Sequence, residues 1–106
     1  MPQEILDFWF SAEVRKLWFN STPQFDASLR ERFRLLWQQA SRGELDHWQQ
    51  SAEGCLALVI ILDQFPLNMF RAEAQSFATE AQSRGVAQMA IDQGFDQALD
   101  VGQRAF

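Results

Sequence analysis

Four polar side chains around a proline are the residues of this chain best suited to chemistry. Asp63, Gln64, Asn68 and Arg71 flank Pro66 at the end of a long apolar run. A carboxylate whose pKa is tuned by burial serves as a general acid or base, and a guanidinium binds anions. These four residues are therefore the ligand-binding candidates.

The same residues also suit a purely structural network, and the sequence favours that interpretation. Buried polar groups are normally hydrogen-bonded for stability alone. Asp63 is expected to pair with Arg71 across the bend, while Gln64 and Asn68 satisfy the backbone groups that Pro66 frees. Under this hypothesis, replacing Asp63 would leave a buried cation unpaired.

The element that must position these side chains is the apolar run Cys55–Leu62. Eight consecutive apolar residues indicate a helix that is buried on all sides. Ser51 is expected to cap this helix, which is predicted over Ala52 to about Phe65. Pro66 lacks an N–H, and its ring clashes with the carbonyl one turn earlier, so the helix is predicted to end or kink just before it.

The rest of the chain has helical periodicity and no strand-like alternation. The other predicted helices are 3–10, 12–19, 27–41 and 73–93. Asp26 is the expected N-cap of the third helix, and Gly43 and Gly94 are expected to end the third and last helices. The sequence predicts an all-α fold, an irregular antiparallel helical bundle with tetratricopeptide-like packing, formed by residues 1–106 as a single domain.

The composition and charge of the chain argue against several classes of function. The net charge of −5 argues against a nucleic-acid groove, and no basic run suits an anionic membrane surface. An apolar run of eight residues is shorter than the roughly 20 that a membrane span needs. Cys55 is the single cysteine and is expected to pack as a small, unreactive hydrophobe. The acidic N-terminus is unlike a secretory signal, so the chain is predicted to be cytoplasmic.

For the other residues that could take part in chemistry, the sequence favours structural roles. His47 is the single histidine and has no second histidine or cysteine pair at ligand spacing, so no metal or other cofactor is predicted. The aromatic residues of the first two helices, among them Trp18, are expected to be core rather than the lining of a ligand groove. The sequence contains no phosphate-binding glycine loop and no nucleophile elbow.

Several segments carry a resemblance to a known family. They are Leu6-Asp7-Phe8-Trp9-Phe10, Leu17-Trp18-Phe19, Phe25-Asp26, Arg32-Phe33, Gly43-Glu44-Leu45-Asp46-His47-Trp48 and Leu62-Asp63-Gln64-Phe65-Pro66 with Asn68, Phe70 and Arg71. In this order they resemble the bacterial family called domain of unknown function 924, over essentially the whole chain. The resemblance implies a helical, tetratricopeptide-like fold and no established activity.

Three departures from the family pattern qualify what the resemblance implies. Members usually have arginine at the position of Leu67 and aspartate at that of Glu80. They also continue past Phe106, so the chain resembles the amino-terminal part of the family. A site that uses later residues would be incomplete here.

Three function hypotheses remain open. The leading one is a small helical module for binding or protein interaction. The alternative is an enzyme, or part of one, that acts on a small anionic substrate with Asp63 and Arg71. The third is a structural domain of a larger assembly. The apolar residues of the last segment, from Phe95 to Phe106, also predict self-association through an exposed apolar face.

Overall fold

The computed structural model describes residues 2–18, 20–71 and 73–95, and every regular element in them is helical. The α-helices are α1 (Pro2–Trp9), α2 (Ala12–Arg15), α3 (Pro23–Ser41), α4 (Ala52–Val59), α5 (Phe65–Met69) and α6 (Glu80–Asp92). Two 3₁₀ turns, Asp46–Gln50 and Ala74–Phe77, and one π-helical turn, Ile60–Gln64, complete the set. The predicted all-α class is confirmed, whereas tetratricopeptide-like packing stays a prediction.

The centre of the fold is one continuous helix, Ala52–Met69, made of α4, the π turn and α5. Every residue from Cys55 to Leu62 is at most 8% exposed, which confirms burial on all sides. Helices α1 and α6 pack against α4, and α3 packs against α5 and the π turn. Ser51 caps the central helix as predicted, because its Oγ accepts a hydrogen bond from the Gly54 N–H at 3.0 Å.

The central helix is also long and apolar enough to cross a membrane. Its 18 residues have a mean hydropathy of 1.3. However, 78% of this window is buried inside the fold, as expected for the core helix of a globular domain. Its length and composition are therefore weak evidence for a membrane span.

An aromatic cluster around Phe65 joins the central helix to α1 and α3. The ring centroid of Phe65 lies 4.9 Å from that of Phe33, 5.6 Å from Trp9 and 6.2 Å from Phe8. Such pairs stabilise a core by about 0.5–1.5 kcal/mol each beyond the apolar area they bury. The cluster fixes the position of α5, which carries the candidate site.

Helix α3 begins earlier than the sequence predicted. Thr22, not Asp26, is the N-cap, and its Oγ1 accepts a hydrogen bond from the Phe25 N–H at 3.1 Å. Pro23 then occupies the first helical position, where its fixed φ suits the helix and its missing N–H costs nothing. The N-cap prediction for Asp26 is therefore wrong, and its carboxylate is available for tertiary contacts.

The other end of α3 follows the prediction. Gly43 adopts a φ of 80°, its N–H donates to the Ala40 carbonyl, and the Glu44 N–H donates to the Gln39 carbonyl. This double hydrogen bond is a Schellman motif, which favours glycine at the left-handed position. The buried residues of α3 are Leu29, Phe33, Trp37 and Ala40.

Pro66 does not end the central helix; instead, the helix is irregular directly before it. The Phe65 N–H donates to the Ile60 carbonyl, five residues earlier, so a π turn precedes the proline. Pro66 then lies in the first turn of α5, where a missing N–H is tolerated. The helix continues past the proline because the hydrogen bond before it spans five residues instead of four.

A buried hydroxyl satisfies the backbone at this turn. The Leu62 carbonyl stands where an α-helix would use the absent N–H of Pro66, and it accepts a hydrogen bond from Thr79 Oγ1 at 2.6 Å. Trp37 Nε1 in turn donates to Thr79 Oγ1 at 3.1 Å. The expectation that Gln64 and Asn68 serve the freed backbone groups is therefore wrong. The threonine does so because α6 begins beside the central helix.

The last predicted long helix is divided in two. Ala74–Phe77 is a 3₁₀ turn, and α6 begins at Glu80 instead of residue 73. Phe77 lies in the 3₁₀ turn and is 62% exposed. The predicted end is confirmed, since Gly94 has a φ of 75° directly after the helix.

Cys55 is expected to be inert toward thiol reagents in the folded protein. Its side chain is 1% exposed, and burial raises the pKa of the thiol. Since the thiolate is the reactive species, both effects slow modification. We expect labelling by a maleimide to be slow under native conditions and fast in denaturant. Rapid native labelling would contradict the burial of α4.

Four large apolar side chains are exposed in the described residues: Leu35, Leu67, Phe77 and Ile91. Self-association through an apolar face stays a prediction. Phe95 is partly buried against the core. The remaining residues on which that prediction depended, 99, 101 and 106, lie outside the described residues.

Candidate functional site

The candidate site is organised by Asp26, a residue that the sequence analysis assigned to a helix cap. Its Oδ1 accepts hydrogen bonds from Ser21 Oγ at 2.5 Å and from Asn68 Nδ2 at 2.9 Å. Its Oδ2 accepts one from Arg71 Nε at 2.8 Å. The carboxylate thus joins the start of α3 to the end of α5.

The predicted pair between Asp63 and Arg71 is wrong. Arg71 pairs with Asp26, because α3 packs across α5 and brings in a carboxylate from 45 residues away. Asp63 is partly buried, and its Oδ2 accepts a hydrogen bond from the neighbouring Gln64 Nε2 at 2.7 Å. The hypothesis that Asp63 pairs with a buried cation therefore does not hold: Asp26 is the partner of Arg71, whose side chain is exposed.

The environment of Asp26 keeps its carboxylate ionised. Burial by itself would raise its pKa, but hydrogen bonds from Arg71, Ser21 and Asn68, with the charge of Arg71, lower the pKa below its ordinary value of 3.8. The hydrogen bond to Asp26 and the attraction of its charge raise the pKa of Arg71. Both groups are therefore charged at neutral pH.

A cavity of about 380 Å³ lies beside this ion pair, and we call it the polar cavity. Its lining residues are Trp18, Asn20, Ser21, Gln64, Leu67, Asn68 and Arg71. This volume is within the range of small-molecule sites, which is roughly 300–1,000 Å³. Three of the four predicted candidates therefore share one cavity, while Asp63 is not among its lining residues.

Four of these lining residues were not predicted as site residues from the sequence: Trp18, Asn20, Ser21 and Leu67. Asn20 and Ser21 belong to the turn before α3, and Trp18 was assigned to the core. A turn signal gives the local backbone shape but does not show which other helix the turn faces. Only the packing of α3 on α5 places this turn opposite Asn68 and Arg71.

A second cavity of about 620 Å³ adjoins the first, and we call it the side cavity. Its lining residues are Leu67, Arg71, Glu73, Ala74, Ser76 and Phe77. Leu67 and Arg71 line both cavities, so the two spaces meet at these side chains.

The chemistry available here is anion recognition. The Arg71 side chain is 59% exposed and is held through Nε, which leaves its two Nη groups for a ligand. Side-chain amides of Asn20, Gln64 and Asn68 add further hydrogen-bonding groups to the lining. In the described part of the chain, no three His, Cys, Asp or Glu side chains approach closely enough to hold a metal ion. His47 is exposed and stacks edge-on against Trp48.

Asp26→Asn is expected to lower stability in a pH-dependent way. Because the folded pKa of Asp26 is lowered, its contribution is present above the unfolded pKa and is lost as the pH falls through the folded pKa. We expect a loss of about 1–3 kcal/mol at pH 7, and the difference should decrease as the pH falls below the unfolded pKa of about 4. Urea unfolding of both proteins at several pH values measures this. A gap that stays constant down to pH 3 would contradict the ionised network.

Comparisons with known proteins place the chain among uncharacterised relatives. A solved structure of a protein of unknown function, ATU0120 from Agrobacterium tumefaciens, is 43% identical and superposes with a TM-score of 0.90. The match covers 97% of this chain and 58% of the other, so this chain spans less than two thirds of that protein. No match was found among curated proteins. The family model for bacterial proteins of unknown function (DUF924) matches residues 5–106, and the chain belongs to that family.

Proposed function

We propose that this chain is a binding module that holds a small anionic ligand in the polar cavity. The observation that carries the proposal is the exposed Arg71 guanidinium, fixed by Asp26 at the junction of two cavities. A cytoplasmic location is also part of the proposal and is supported by sequence features alone.

Preorganisation supports this role for Arg71. A free arginine side chain loses considerable rotamer entropy when it binds a ligand. Here the 2.8 Å bond to Asp26 Oδ2 already orients the guanidinium plane, and Ser21 and Asn68 hold the carboxylate in place. A planar anion that meets the two Nη groups would form paired hydrogen bonds without further ordering of the protein.

The π turn that accommodates Pro66 also supports a site at this position. π-helical turns are rare and occur frequently at functional sites. Here the turn Ile60–Gln64 ends at Gln64, which lines the polar cavity, and Asn68 follows one turn later on α5. The irregular turn therefore contributes to the positions of Gln64 and Asn68 in the lining of the cavity.

Binding has more support than catalysis. The enzyme alternative uses Asp63 and Arg71, but Asp63 bonds to Gln64 and is absent from the lining of both cavities. Asp26 lies nearer, yet its lowered pKa makes it a poor proton donor at neutral pH. Among the described residues, the lining of the polar cavity therefore offers an anion anchor without an acid–base partner.

Arg71→Gln is expected to weaken anion binding strongly, with little change in fold. Titration of the ¹⁵N-labelled protein with acetate, butanoate and inorganic phosphate, followed by amide chemical shifts, measures binding. We expect dissociation constants on the order of 1 mM for the parent protein and at least tenfold weaker binding for the variant.

The matched control is Arg84→Gln. Arg84 is also an exposed arginine with a carboxylate partner, Glu80, but it lies on α6 and lines neither cavity. This variant should bind anions as the parent protein does. Equal losses in both variants would indicate general charge effects, and binding that is unaffected by Arg71→Gln would refute the proposal.

A further inference from the structure

We infer that the ligand is a monocarboxylate with an apolar chain, its carboxylate on Arg71 and its chain in the side cavity over Leu67 and Phe77. This inference rests on the proposed function and specifies the ligand class. It follows from the contrast between the two cavities that meet at Arg71.

The two cavities differ in lining chemistry. Apart from Leu67 and Arg71, the polar cavity is lined by an indole, a hydroxyl and three amides. The side cavity is lined by two apolar residues, Ala74 and Phe77, and two polar ones, Glu73 and Ser76. Phe77 is 62% exposed and Leu67 is 40% exposed, so both leave apolar surface in water. A ligand chain that covers this surface would bind more tightly through the hydrophobic effect.

The charged residues around the side cavity favour a ligand whose negative charge lies at Arg71 and whose other end is uncharged. Glu73 lines the side cavity, so a second anionic group there would be repelled. The pairing of Glu73 with Arg30 is loose, at 3.6 Å, and its side chain is 49% exposed, so its charge is only partly offset. Arg71 shares its own charge with Asp26, and the chain carries a net charge of −5. These features favour one negative charge on the ligand over two.

The carboxylate end fits the remaining hydrogen-bonding capacity of Arg71. Its Nε donates to Asp26, and the two Nη groups form a planar fork. Carboxylate oxygens match this fork with two parallel hydrogen bonds. The adjoining amides of Asn68 and Gln64 lie on the polar side, where they complete the surroundings of the anion.

Four small probes test the inference: butanoate, hexanoate, adipate and neutral hexanol. Full burial of a methylene tightens binding by about fourfold, so two partly buried ones should make hexanoate about tenfold tighter than butanoate. Adipate, of the same length but with two charges, should bind more weakly than hexanoate. Hexanol should show no saturable binding at these concentrations. Amide chemical shifts in ¹⁵N-labelled protein report all four.

Single-residue variants test whether the ligand chain binds in the side cavity. Phe77→Ser should weaken hexanoate binding more than butanoate binding, and so remove most of the advantage of the longer chain. Leu35→Ser is the matched control, because Leu35 is 66% exposed on α3 and lines neither cavity. Glu73→Gln should strengthen adipate binding relative to hexanoate. Thermal melting of each variant confirms that it is folded.

The outcomes separate the inference from the proposed function. Equal binding of butanoate and hexanoate, with both lost in Arg71→Gln, would overturn the inference and keep the anion-binding role. Hexanol binding as tightly as hexanoate would also overturn it, since the carboxylate would then contribute nothing. Absence of Arg71-dependent binding by any anion would refute the proposed function itself.

Discussion

Gly54→Ala is expected to destabilise the protein by about 3 kcal/mol or more. A Cβ on Gly54 would stand 1.8 Å from the Trp48 carbonyl oxygen and 2.7 Å from its carbonyl carbon. These are backbone atoms of the 3₁₀ turn Asp46–Gln50, so no side-chain rotation relieves the clash. Overpacking of a core usually costs about 1–3 kcal/mol, and displacing backbone costs more. In a domain of this size the melting temperature should fall by roughly 15 °C.

Gly85→Ala is the matched control. Gly85 lies inside α6, and a Cβ there would meet no atom within 4 Å. Alanine has the higher helix propensity, so this variant should be more stable by about 0.5–1 kcal/mol. Thermal and urea unfolding followed by helical circular dichroism measure both changes. Similar shifts for the two variants would contradict the close packing of α4 against the 3₁₀ turn.

Thr79→Val is expected to cost about 3 kcal/mol although it preserves side-chain shape. Thr79 is 5% exposed, and its hydroxyl donates to the Leu62 carbonyl while accepting from Trp37 Nε1. Valine can neither donate to the Leu62 carbonyl nor accept from Trp37 Nε1, so each of these buried groups loses its hydrogen-bond partner. Each group left unsatisfied costs about 1–3 kcal/mol. Urea unfolding measures the difference in free energy.

Two further variants show whether the hydroxyl is the cause. Thr79→Ser keeps both hydrogen bonds and loses one methyl group, so its cost should be near 1 kcal/mol. In a Trp37→Phe background, Thr79→Val should cost less than in the parent protein, since the donor has already been removed. If Thr79→Ser and Thr79→Val are equally destabilised, the hydrogen-bond relay does not contribute as argued.

The candidate site was partly predictable. Polar residues beside Pro66 directed attention to Gln64, Asn68 and Arg71, and these three line one cavity. The error concerned the carboxylate: Asp63 was chosen because it is near in sequence. The actual partner, Asp26, is 42–45 residues from Asn68 and Arg71. Nothing in local spacing distinguishes an acidic residue in a helix turn from one that reaches across to another helix.

The sequence by itself determined the features that arise from short-range interactions. Helical class follows from apolar periodicity, the cap at Ser51 from one side-chain hydrogen bond, and the helix ends at Gly43 and Gly94 from a left-handed backbone. Burial of Cys55–Leu62 follows from the absence of a polar face. Each of these signals lies within a few residues of the feature that it predicts.

Tertiary structure alone decided how the helix passes Pro66, which carboxylate binds Arg71 and why residue 54 must be glycine. A proline breaks an isolated helix, but here Thr79 supplies the Leu62 carbonyl with a donor from another helix. These outcomes depend on contacts between elements that are distant in sequence. Their energies exist only after the helices have packed, because each partner is solvated by water in the unfolded chain.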